Sequence, residues 1–257
     1  MTEHEEFRLT FPIVFNYTVP IKENADSNDD QMGAGVLIEV AGSLLVASAA
    51  HCIKDKPAVL ENNFSLPAES KIRILRRGTH PTLDIGFLEL ERNGAIPILN
   101  RGDCSLEMIC LEPLPANGMV HIVGFPAVAR TLNNSELTVV KKGFGTQFTH
   151  AIADHFFFSY PEVGWSWDDG KNDWKQTPLD KTPHGYSGGG CWGFVQPNPG
   201  ELFTQDKHIR LYAIQTAWDK VERYVKCVPI AFWLSWVGSC CPDLRPAIAS
   251  RFPDLAE

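Results

Sequence analysis

The sequence lacks a long apolar run, a basic patch and a paired-cysteine spacing. Ile230–Val237 is apolar but far short of the roughly 20 residues a membrane helix needs. The first residues, Met1-Thr2-Glu3-His4-Glu5-Glu6-Phe7, are acidic and lack a signal-peptide core. Both observations predict a soluble, cytoplasmic protein with no membrane partner. The formal charge is −8, and Arg76-Arg77 and Lys141-Lys142 are isolated pairs. Such a chain is a poor partner for nucleic acid. The cysteines are Cys52, Cys104, Cys110, Cys191, Cys227, Cys240 and Cys241; their number, seven, is odd and no CxxC occurs. That favours a reducing compartment over a disulfide framework. Cys227 with Cys240-Cys241 has no histidine-rich partner set, so inert thiols are expected, with no metal and no cofactor.

Helical patterning is also scarce. Short strand-like runs recur between turn signals: Phe11–Asn16, Gly35–Val40, Ser43–Ser48, Lys71–Arg76, Ile85–Leu90, Met119–Val123, Leu137–Val140, Ala153–Ser159, Trp192–Val195 and Leu211–Gln215. That spacing predicts all-β barrels or sandwiches rather than βαβ units. With 257 residues the chain can bury roughly 70–75% of its unfolded surface, enough for a core without staples. Leu111–Gly118 is the expected link between two halves, and Glu162–Pro183, rich in Trp, Asp, Lys and Gly, is expected as a long loop. Helix is expected in Val228–Trp236 and Pro242–Leu255.

Three segments carry chemistry. Gly185-Tyr186-Ser187-Gly188-Gly189-Gly190 places a serine in a glycine-rich turn. Ala49-Ala50-His51-Cys52 ends the apolar run Ser43–Ser48, and Asp84 heads Ile85–Leu90. A serine hydroxyl needs a base to become a nucleophile, and imidazole is the usual one near neutral pH. A carboxylate must then hold the imidazole in the right tautomer. The chain order is His, Asp, Ser.

These segments resemble those of the trypsin-like (chymotrypsin-fold) serine peptidases, over most of the chain. The resemblance rests on Gly33–Ile38 with Val46–Cys52, Asp84–Leu88, Gly185–Gly189, Ala213–Trp218 and Cys227–Leu234, in that order. It implies two six-stranded antiparallel β-barrels with the active site in the cleft between them, and a short C-terminal helix. The expected division is 1–112 for the first barrel, 113–230 for the second and 231–257 for the helical segment. It implies Ser187 as nucleophile, His51 as base and then acid, and Asp84 as the group orienting His51. The oxyanion hole would be the backbone N–H groups of Gly185 and Ser187. Lys181, Thr182, Pro183, His184, Thr216, Ala217 and Trp218 would contact the polypeptide substrate.

Departures from the family pattern are informative. Tyr186 stands where cleavage-activated members carry an acidic residue, and no Ile-Val-Gly-Gly-like start is visible. Cys52 has no cysteine partner near Gly33–Gly35. The pattern is closer to the intracellular bacterial members. A regulatory or defence protease with few substrates fits it, one able to await an activating protein partner. Lys181 near the base of the first pocket favours an acidic or polar residue before the cut; Asp168, Asp169, Asp173 or Asp180, reaching the same pocket, would favour a basic one. Two rivals remain. A G-x-S-x-G elbow would make an α/β-hydrolase, but that needs a helix after the serine and an acid and histidine downstream; here a strand-like run and only His208 follow. A catalytically silent binding or scaffold module is the other.

Overall fold

The computed structural model describes residues 3–26, 32–61, 63–65, 72–99, 102–114, 118–126, 130–133, 136–168, 173–179, 181 and 183–255. The first half holds α1 (Glu3–Asn16), β1 (Thr18–Lys22), β2 (Met32–Val40), β3 (Ser43–Ser48), β4 (Ala58–Val59), β5 (Asn63–Ser65), β6 (Ile74–Thr79), β7 (Gly86–Leu90) and α2 (Arg92–Leu99). The second holds β8 (Met119–Gly124), β9 (Arg130–Asn133), β10 (Glu136–Val139), β11 (Lys142–Ile152), β12 (His155–Ser159), β13 (Val163–Asp168), β14 (Asp173–Pro178), β15 (Gly190–Phe194), α3 (Gln205–His208), β16 (Ile209–Asp219) and β17 (Tyr224–Pro229). Two helices close the chain, α4 (Ile230–Cys240) and α5 (Arg245–Arg251).

β4-β1-β2-β3-β7-β6 form one antiparallel sheet whose ladder stays open. In the second half, β12-β17-β16-β15-β8-β11 form a ring that the β11–β12 pairing closes. Of the two expected barrels, the second is thus a closed six-stranded barrel and the first a six-stranded half-barrel. β2 shows why the strands read as continuous apolar runs. Leu37 faces the interior of the first sheet with Val19, Val46 and Leu88. Its neighbours Val36 and Ile38 face the opposite way, into a layer shared with Trp192, Ile214 and Val228 of the second half. Alternate side chains leave opposite faces of a strand, and both faces are covered. The tight β2–β3 connection passes through Ala41 and Gly42, both at positive φ (51° and 86°), the twist that suits a two-residue hairpin.

Two expectations fail. Phe11–Asn16 is the end of α1, not a strand. Phe11, Val14 and Phe15 recur at three- and four-residue spacing and are all buried, which is one helix face; a short apolar run does not reveal its period. Glu162–Pro183 is not a loop: Val163–Asp168 and Asp173–Pro178 pair as a hairpin, attached to β11 outside the closed ring. The two expected C-terminal helical segments are helical, as α4 and α5. No helix among the described residues is long and apolar enough to cross a membrane.

Candidate active site

β3 and β7 are paired neighbours, with Ser48 opposite Gly86. His51 lies three residues beyond Ser48, on the short 3-10 turn Ala50–Ile53. Asp84 lies two residues before Gly86, so both side chains emerge at the same end of the sheet. Asp84 grips its neighbour twice. Its Oδ2 lies 2.7 Å from His51 Nδ1, and its Oδ1 accepts the backbone N–H of His51 at 3.0 Å. The hydrogen bond to Asp84 raises the imidazole's pKa, against the opposing effect of partial burial. A proton held on Nδ1 leaves the Nε2 lone pair as the basic site.

The Asp84 segment is itself braced. His80 Nδ1 accepts the N–H of Leu83 at 3.0 Å. The indole of Trp233, on α4, donates to the carbonyl of Gly86 at 2.9 Å. Trp236 packs edge-on against His80, with ring centroids 5.6 Å apart.

The serine turn is tied on three sides. Gly188 N–H donates to Gln215 O at 2.7 Å and Gln215 N–H to Gly189 O at 2.9 Å, joining the turn to β16. Ala34 N–H donates to Ser187 O at 2.7 Å, joining it to the first half, and Phe125 N–H donates to Gly185 O at 2.9 Å. The thiol of Cys52, next to His51, lies 3.6 Å from the same Ser187 carbonyl, so the histidine and serine segments touch. Gly185 has φ +92°, and a Cβ there would collide with the Phe125 carbonyl; Gly188 has φ +87°, and a Cβ would collide with the Ala34 carbonyl. Both positions demand glycine. Among the described residues, the N–H groups of Gly185 and Ser187 donate to no backbone carbonyl. Tyr186 is buried under the turn, its ring 5.1 Å from that of Phe144.

The expected substrate contacts are placed unevenly. Lys181 and His184 are exposed and Pro183 is buried, while Thr182 lies outside the described residues. Thr216 is buried, with its hydroxyl on the Lys226 carbonyl at 3.4 Å. Ala217 is exposed, and Trp218 is half-buried against Tyr160, 5.8 Å between rings. Asp168 and Asp173 sit opposite each other at the end of the β13–β14 ladder; Asp169 and Asp180 lie outside the described residues.

Sequence reasoning missed Gln215, Phe125 and Glu23. The first two act through backbone groups, which no side chain advertises. Glu23 stands at the head of a polar stretch that carries no motif, yet its ligand atoms lie within 4.8 Å of those of His51 and Cys52. These three side chains can hold a metal ion in principle. Burial pushes the Cys52 thiol far up, so an ion would first have to strip its proton. The cysteines weighed for zinc are not together: Cys227 lies in the core of the second barrel and Cys241 in the layer against α4.

Two β-barrels, one open and one closed, packed across a shared layer and followed by a C-terminal helix, make the chymotrypsin double-barrel fold. Among solved structures, the chain is similar to neuropsin, a serine protease expressed in the limbic system of mouse brain: TM-score 0.53, 15% identity, covering 88% of this chain and 94% of that one. No family model and no curated protein matches the sequence.

Proposed function

We propose that this chain is a serine endopeptidase working through Ser187, His51 and Asp84. The observation that carries the reading is the double hold of Asp84 on His51, on a segment that touches the serine turn through the Cys52 thiol. Ser187 Oγ attacks the substrate carbonyl carbon while its proton passes to His51 Nε2. The oxyanion that forms accepts hydrogen bonds from Gly185 and Ser187. Collapse breaks the C–N bond, and the same proton leaves with the amine. Water then repeats the sequence on the acyl-enzyme, releasing the carboxylic acid and restoring the serine. Asp84 keeps His51 oriented and stabilises its charged form.

Three further readings follow. Lys181 and His184, both exposed beside the turn, support a pocket for an acidic or polar residue, with Thr216, Ala217 and Trp218 as the strand along the acyl side. Tyr186, packed on Phe144, supports an enzyme that needs no acidic residue there to order its turn, as in the intracellular bacterial members. Seven free thiols support a reducing, cytoplasmic setting and a regulatory or defence role on few substrates, under a partner's control.

The test is a peptide library digested by the native chain and by Ser187→Ala. Cleavage after Glu, Asp or polar residues, reduced by about 10³-fold or more in the variant, is expected. Cleavage only after Arg or Lys would overturn the Lys181 pocket, and cleavage unaffected by the substitution would overturn the triad.

A further inference from the structure

Three donor atoms of different chemistry meet beside the serine turn. A carboxylate oxygen of Glu23, a ring nitrogen of His51 and the Sγ of Cys52 all lie within 4.8 Å of one another, and that Sγ lies 3.6 Å from the Ser187 carbonyl oxygen. The fold brings the donors in from two directions. Lys22, the last residue of β1, pairs with Ala58, and Asn24 bridges to Lys56. Ala25 N–H donates to Lys56 O at 2.8 Å. Glu23 is thus pinned on both sides to the chain that leaves the turn bearing His51 and Cys52. Gly33, on β2, makes room for the thiol, because a Cβ there would collide with Cys52 Sγ.

The proposed mechanism uses neither the Glu23 carboxylate nor the Cys52 thiol, and Cys52 is in no disulfide. Carboxylate, imidazole and thiolate are the ligand types of zinc. Around a tetrahedral ion with bonds of about 2.0–2.3 Å, two donors stand about 3.5 Å apart, so the widest gap here has to close by at most about 1.3 Å. Glu23 is half-buried and His51 exposed, which leaves both side chains room to adjust. The local field favours a cation. The hydrogen bond to Asp84 raises the His51 pKa most, and the charge of Glu23 acts in the same sense. Burial does the same to the Cys52 thiol, and Glu23 again adds to it.

We propose that Glu23, His51 and Cys52 form an inhibitory zinc site. Asp84 holds Nδ1 of His51, so Nε2 is the nitrogen that binds the ion. Zinc on Nε2 leaves no lone pair to accept the Ser187 proton, and the serine stays unactivated. The ion takes the Cys52 sulfur as thiolate, and the thiol proton goes to solvent. Three protein ligands leave a fourth position for water. The zinc site stands on the donor geometry, and its inhibitory effect rests on the proposed serine peptidase reading.

The experiment adds zinc chloride to the whole chain in a reductant that does not bind metal. Affinity is read by competition with a chromophoric chelator, and the serine by the rate of fluorophosphonate labelling. Cobalt(II) in place of zinc reads the sulfur through a thiolate-to-metal charge-transfer band. Saturating zinc should slow labelling of the native chain at least about tenfold, the base being lost, and EDTA should restore it. Glu23→Gln should weaken zinc binding at least about tenfold. Cys52→Ala should do the same and lose the charge-transfer band. Each variant is judged against its own zinc-free rate. Should Cys52→Ala fail to fold, Glu23→Gln decides alone. Zinc affinity unchanged in Glu23→Gln, or zinc saturation that leaves labelling as fast as before, would overturn the inference and leave the peptidase reading standing. A zinc-free native chain that takes no label would overturn the peptidase reading and the inhibitory role with it, while affinity and the cobalt band still decide the zinc site.

Discussion

Gly185 occupies a backbone conformation, φ +92°, that L side chains adopt only with strain, and the Phe125 carbonyl fills the space a Cβ would need. The turn therefore excludes every residue but glycine at this position, where the proposed mechanism places an oxyanion-hole donor. Gly185→Ala should lower kcat by about 10²–10³-fold, the loss typical of an oxyanion-hole donor, with KM little changed and the circular dichroism retained; unchanged kcat would remove Gly185 from the site. Asp84 acts on the other partner. Its hydrogen bond raises the His51 pKa; in the proposed mechanism the base is the neutral imidazole, so activity should rise as pH climbs through that pKa. Asp84→Asn should cut kcat by about 10⁴-fold and move the acid limb of the pH–rate profile to lower pH. By linkage, the stability His51 gains from the pair is full below its unfolded pKa and is lost as pH rises through the folded one. An acid limb that stays in place in the variant would contradict the pairing. The pairing of His51 with Asp84 was legible because each residue stands at the end of an apolar strand-like run. Gln215 and Phe125 were not, because their contribution is an amide or carbonyl brought in by the fold.

Elements were legible where the pattern was clean. Ser43–Ser48 is a strand from end to end, a short apolar run set off by the Ala41-Gly42 turn before it. α1 escapes the pattern because Phe11–Phe15 is a short, nearly continuous apolar run, in which the helical spacing of Phe11, Val14 and Phe15 is hidden by Ile13 between them. The β13–β14 hairpin was misread because its Asp, Lys and Gly residues suggest a loop, although Trp165-Ser166-Trp167 already alternates with period two. α4 illustrates how an element reaches the site from afar: Trp233 is fully buried and donates to Gly86 O, two residues from Asp84. Trp233→Ala should destabilise the fold by about 3–5 kcal/mol, and Trp233→Phe, which keeps most of the ring but loses the donor, by about 1 kcal/mol. Urea unfolding measures both; equal stability of all three chains would contradict the bracing role.

At the scale of the molecule, the candidate site exists only where the halves meet. His51 and Asp84 come from the open barrel and Ser187 from the closed one, joined through Ala34 N–H and the Cys52 thiol on a single carbonyl of Ser187. The double-barrel fold was legible through the order of five short segments, not through any one of them. The β5–β10 pairing was not: Leu137–Val140 reads as a strand, but no pattern marks its partner Asn63–Ser65, far away in the chain. An activated serine at position 187 is what the proposed triad must produce, and fluorophosphonate labelling of the native chain, Ser187→Ala and His51→Ala decides whether it does. An adduct is expected on the native chain at Ser187, none in Ser187→Ala, and a rate in His51→Ala lower by about 10³-fold or more; an adduct that survives Ser187→Ala, or a native chain that takes none, would rule the activated serine out.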